Sequence, residues 1–188
     1  MTATSTLGAA FAALARDTIT KHTTWDAPAR FRILHWDGHE LHTSSELIIP
    51  QTVHPDEYPG RMFTAAAEAI VGRSHGLPDG YLLEAEFFGV PDLDESATPA
   101  QRAQHQLDRL ARSFHRRPDR IELANAWAVD RTGQLWSAGK RRDQPGHLEE
   151  HTYAPDDPRM PGGQFIAALR SLAGATGMIA AGTTPRPV

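Results

Sequence analysis

Eight residues, His35-Trp36-Asp37-Gly38-His39-Glu40-Leu41-His42, hold three imidazoles and two carboxylates. Asp-Gly between two apolar-rich runs suits a tight hairpin turn, because both turn positions need positive φ. A two-residue turn at Asp37-Gly38 would pair Trp36 with His39, His35 with Glu40 and Ile33 with His42. Paired residues share a face, so His35, Glu40 and His42 would lie together and His39 opposite. Two imidazoles and a carboxylate suit a divalent metal such as zinc. The plainer reading is a set of polar residues at a solvated hairpin tip. No fourth ligand is identifiable, so the expectation is a correct register around an empty site.

Other constellations carry weaker chemistry. Glu84 and Glu86 share one face of a strand, roughly 7 Å apart. Such a pair can work as general acid and base or hold Mg²⁺, and Asp92, Asp94 and Glu95 follow it. It also reads as a charged strip protecting an edge strand. His147-Leu148-Glu149-Glu150-His151 has the H-x-x-E-H spacing of inverzincin metalloproteases, which need a helix there. Pro145-Gly146 before it and Pro155 after it favour a strand or loop. Arg159, Gly162 and Gly163 precede the last helix, where bare amides can bind an anion. Glycine and proline at a helix start also need no ligand. Basic residues between Arg112 and Arg120, and Lys140-Arg141-Arg142, offer contact points for an acidic partner. No nucleophile elbow surrounds any serine.

The elements that must position these groups follow from periodicity. Residues 1–24 form an N-terminal helix with Leu7, Ala10, Phe11, Leu14 and Thr18 on one stripe. A hairpin follows over Phe31–Trp36 and His39–Ile49. A helix runs from His54 to about Arg73, with Met62, Ala66, Ala69 and Ile70 inward. Tyr81–Val90 alternates as a strand. Thr98-Pro99-Ala100-Gln101 is a capping box. It opens a helix with Ala103, Leu107, Leu110, Ala111 and Phe114 on one stripe.

Asp119–Arg142 then reads as two strands around Asp130-Arg131-Thr132-Gly133. The first carries Leu123, Trp127 and Val129 on one face, and Ala124, Ala126 and Ala128 on the other. A strand without a polar face is central and covered on both sides, and its small residues admit a helix closely. His147–Tyr153 extends the meander. A last helix covers Pro161–Thr176. Gly177 is read as its left-handed stop, Met178–Ala181 as a short strand and residues 183–188 as a flexible tail. The fold class is therefore α+β: one domain over 1–188, with a mostly antiparallel sheet of hairpins and a meander covered by about four helices.

Composition bounds the function. The 188 residues are 40% hydrophobic and contain no cysteine, so disulfides and thiolate metal sites are excluded. A net charge of −4 argues against nucleic acid as partner. No apolar run reaches the ~18 residues of a membrane span, and no signal segment opens the chain, so a cytoplasmic protein is expected. The first reading is an uncharacterised interaction or accessory protein without a cofactor, engaging a protein partner or itself. The second is a metal-dependent hydrolase using His35, Glu40 and His42 with zinc, with Glu84 or Glu86 assisting. The third is a small-anion binder at Gly162-Gly163.

Overall fold

The computed structural model describes residues 3–72, 76–90, 93, 96–110 and 116–182. Six strands, β1 (Ala29–Trp36), β2 (Leu41–Ile49), β3 (Gly80–Gly89), β4 (Ile121–Asp130), β5 (Leu135–Arg141) and β6 (Gln144–Tyr153), form one sheet. Its order is β2-β1-β3-β4-β5-β6, and every neighbouring pair is antiparallel. The helices are α1 (Ala3–Lys21), α2 (Tyr58–Gly72), α3 (Pro99–Leu110) and α4 (Gln164–Ala180), with a 3-10 turn at Pro55–Glu57. This is the expected α+β arrangement. The proposed tail 183–188 lies outside the described residues, as do Ala111 and Phe114.

Strand alternation sorts the side chains into two cores. On one face Phe31, Ile33, Tyr81, Leu83, Trp127 and Val129 pack against Met62 and Ala66 of α2 and Ile166, Leu169 and Leu172 of α4. On the other face Leu34, Leu82, Ala124, Ala126, Ala128 and Ala138 receive Phe11, Ala15 and Ile19 of α1. The alanine face of β4 is thus the seat of α1, as its small side chains require. Trp127 and Trp136 are 7% and 5% exposed and face opposite cores. Trp136 stacks on Phe11 with ring centroids 5.1 Å apart, while Trp127 stacks on Phe87 at 5.4 Å.

Three local expectations are corrected. The first hairpin closes through four residues, with Trp36 opposite Leu41 and His35 opposite His42. The cause is Asp37, whose Oδ1 accepts the amides of His39 and Glu40 at 2.8 and 2.9 Å and holds a wider loop. Strand β3 is no edge: it lies between β1 and β4.

Gly177 does not stop the last helix, which continues through Met178 to Ala180. Glycine is needed there because a Cβ would lie 2.6 Å from the Arg131 carbonyl oxygen. The positive-φ glycine beyond the helix is Gly182, at φ 73.

The capping box of α3 forms, Thr98 N donating to Gln101 Oε1 at 2.8 Å and Gln101 N to Thr98 Oγ1 at 3.2 Å. On its stripe Ala103 is exposed and Leu107 is 58% exposed. Among the described residues α3 packs substantially on no other element.

Candidate functional site

Where α1 ends at Lys21, the sheet face beneath it loses its helical cover and turns polar. Arg30 and Arg32 of β1 lie beside Glu46 of β2 and Glu84 of β3. Strand pairing sets this row, matching Arg32 with Glu46 and Arg30 with Glu84. Lys140 of β5 faces the same side from beyond Ala124.

His22, 7% exposed, drops from the end of α1 into this row. Its Nδ1 is 3.0 Å from Glu84 Oε1. An ionised carboxylate only accepts, so Nδ1 carries the proton of that bond. Nε2 lies 3.1 Å from Glu86 Oε1, yet makes no directed hydrogen bond. The distance and the geometry thus describe different things. We treat Glu86 as a close charge and not as a hydrogen-bond acceptor for this ring, because hydrogen bonds weaken steeply off axis.

Glu86 has another task. Its two oxygens accept the amides of Asp26 and Ala27 at 2.8 and 3.0 Å, fixing the chain between α1 and β1. Asp26 sits there at φ 64. Trp25 meets the His22 ring edge-on at 5.5 Å and lies under the Arg142 guanidinium at 5.5 Å. Lys140 Nζ donates to the His22 carbonyl.

These contacts shift charge states. Burial pushes the Glu84 carboxyl up, but the His22 hydrogen bond and the Arg32, His22 and Arg30 charges outweigh it. Its pKa is held below the ordinary value. Burial lowers the Lys140 ammonium, and Glu84 opposes that shift. Both carboxylates have fixed structural roles. The pair expected at Glu84 and Glu86 does share a face, but each member holds a piece of the fold. The signal that sequence reading missed is His22, which is 62 residues from Glu84 and stands in no motif.

The other candidate residues are dispersed. His35 and His42 face each other across β1 and β2, while Glu40 lies in the loop. His42 Nε2 is 2.7 Å from Asp37 Oδ2. The amides of Glu40 and His39, with His42 between them in effect, hold the Asp37 carboxyl well below its usual range. Among the described residues no three His, Asp or Glu side chains are arranged to hold a metal ion. In the His22 group the two ring nitrogens point to different carboxylates and share no common centre.

His147, Glu149 and His151 lie on strand β6, without the helix that the metalloprotease spacing needs. Gly162 and Gly163 precede α4, and Gly163 is its N-cap at φ 110. Arg159 is turned back onto Asp157, with Nη2 2.8 Å from Oδ2. The basic clusters are largely paired: Arg117 with Asp108 and Asp119, Arg141 with Asp143, Arg142 with Glu122.

The chain is thus a six-stranded antiparallel α+β protein with a polar cleft at the end of its first helix and, among the described residues, an amphipathic helix, α3, without substantial packing on another element. Comparison with family models, with curated proteins and with solved structures finds no match to it. No helix among the described residues is long and apolar enough to cross a membrane.

Proposed function

We propose that this chain is a non-catalytic interaction protein whose α3 pairs with α3 of a second copy. The observation that carries the reading is Leu107, 58% exposed on an amphipathic helix that no other element among the described residues substantially covers. A 12-residue helix is marginal in water by itself, since helices shorter than ~12–15 residues draw most of their stability from a packed apolar face. Covering that face from outside supplies what the chain does not.

The sequence of α3 suits a two-fold partner. An antiparallel pair with its axis at His105 sets Ala103 of each copy against Leu107 of the other, a small residue against a large one. In this reading the protein works in the cytoplasm with a protein partner and no cofactor. Its net charge of −4 supports protein over nucleic acid.

Light scattering or sedimentation across a wide concentration range tests it. The expected result is a dimer that becomes monomeric in Leu107→Glu while far-ultraviolet circular dichroism keeps the sheet signal. A wild-type chain that stays monomeric throughout, or a Leu107→Glu dimer as tight as wild type, overturns it.

A further inference from the structure

A cleft of about 460 Å³ opens between the last turn of α1 and strand β1, over the polar row. Its lining divides by chemistry. Arg30, Arg32 and Lys21 bring positive charge, Thr18, Thr23 and Thr24 bring hydroxyls, and Leu14 and Ala27 bring apolar wall. Its volume falls within the range of small-ligand sites, and its lining is more polar than most.

Donors are in surplus here. The Arg32 guanidinium has five N–H groups. Three of them hold Glu46, Thr18 and Glu84, at 2.9, 3.3 and 3.2 Å, which fixes the fork and leaves two. Among the described residues Arg30 forms one ion pair, with Glu46 at 3.8 Å, and Lys21 one, with Asp17 at 3.8 Å. The hydroxyls of Thr23 and Thr24 hold no partner among the described residues. On the acceptor side Glu84 is already engaged by His22 and Arg32. Glu84 and Asp17 also line the cleft and oppose a second negative charge.

We infer that this cleft binds a small organic monocarboxylate. The carboxylate bridges Arg30 and the two remaining N–H groups of Arg32 and accepts from the Thr23 hydroxyl, and the hydrocarbon part lies against Leu14 and Ala27. Paired oxygens match a guanidinium fork, which favours a carboxylate over a halide. The inference does not depend on self-association, because the cleft involves no residue of α3.

The test is a titration of the full chain with benzoate, and separately with inorganic phosphate, at constant ionic strength near neutral pH. Calorimetry and amide chemical shifts are read together. Saturable one-to-one benzoate binding with shifts at Leu14, Thr18 and Thr23 is expected. Arg30→Gln, at a half-exposed side chain, should weaken it about tenfold or more, the loss of a charge-assisted pair. Arg159→Gln, remote from the cleft, should leave it unchanged. Should Arg30→Gln not fold, Thr23→Val replaces it, with about threefold weaker binding expected for one lost hydrogen bond. No saturable benzoate binding, phosphate bound in preference, or wild-type affinity in the folded cleft variant each overturns the inference.

Discussion

The Tyr81 hydroxyl lies 2.6 Å from Thr176 Oγ1, joining the central strand β3 to helix α4 inside the larger core. Thr176 Oγ1 also donates to the Leu172 carbonyl at 2.9 Å. A hydroxyl has one proton, so Tyr81 must be the donor and Thr176 the acceptor in their shared bond. Burial pushes the Tyr81 phenol up, against the Thr176 hydrogen bond and the Arg131 charge.

That direction makes the two deletions unequal. Tyr81→Phe leaves the Thr176 proton on Leu172 and should cost only about 0.5–1.5 kcal/mol. Thr176→Val strands the buried Tyr81 proton and should cost about 1–3 kcal/mol. Urea unfolding of both variants checks the order, and a larger loss in Tyr81→Phe would reverse the donor assignment.

Gly177 and Gly174 lie on one helix and should respond to alanine with opposite signs. Gly174→Ala meets nothing within 4 Å and should stabilise by about 0.5–1 kcal/mol through helix propensity. Gly177→Ala drives a Cβ to 2.6 Å from the Arg131 carbonyl, and overpacking of that kind costs about 1–3 kcal/mol. Paired thermal melts decide it.

Trp127→Ala should cost about 3–5 kcal/mol, the range for a truncated core tryptophan. Its ring is buried against Phe87 in the larger core. A loss within the ~0.5 kcal/mol range of surface substitutions, read by urea unfolding, would remove β4 from the centre of the sheet.

Glu84 should contribute to acid sensitivity. Its folded pKa is depressed from an ordinary value of 4.5. The stability it supplies is therefore complete above that value and is lost as pH falls through the lower folded pKa. Glu84→Gln should flatten the acid side of the stability profile while lowering stability at neutral pH. An unchanged acid slope would show that the His22 and Arg32 contacts do not bias its ionisation.

Zinc should bind the first hairpin no better than micromolar, and a chelator should not melt the fold. His42 already faces Asp37, Glu40 stands outside the strands, and no metal-holding group of three is formed among the described residues. Submicromolar zinc binding lost in both His35→Ala and His42→Ala would restore the metalloenzyme reading.

Much of the fold was legible because it depends on local alternation. The alanine face of β4, the third meander strand and the capping box of α3 each declare themselves within ten residues. Periodicity also identified α3 as amphipathic, but it says nothing about what the apolar stripe faces. Gly177 looked like a helix stop because glycine often is one, while its actual constraint is a carbonyl on another loop. Asp-Gly located the first turn, yet the Asp37 side chain set its length. The polar cleft was half visible: Glu84 and Glu86 were placed on one face, while His22, Arg30 and Arg32 meet them only through the sheet.

Helix α1 is made well before most of its seat. Its apolar side chains Phe11, Ala15 and Ile19 rest mainly on β4 and β5, more than a hundred residues downstream. During synthesis this helix lacks most of its native cover until residues 121–141 have left the ribosome. Contacts of such sequence separation slow folding and prolong exposure of sticky surface. A nascent chain halted before β4 should therefore be the species most exposed to aggregation or chaperone capture.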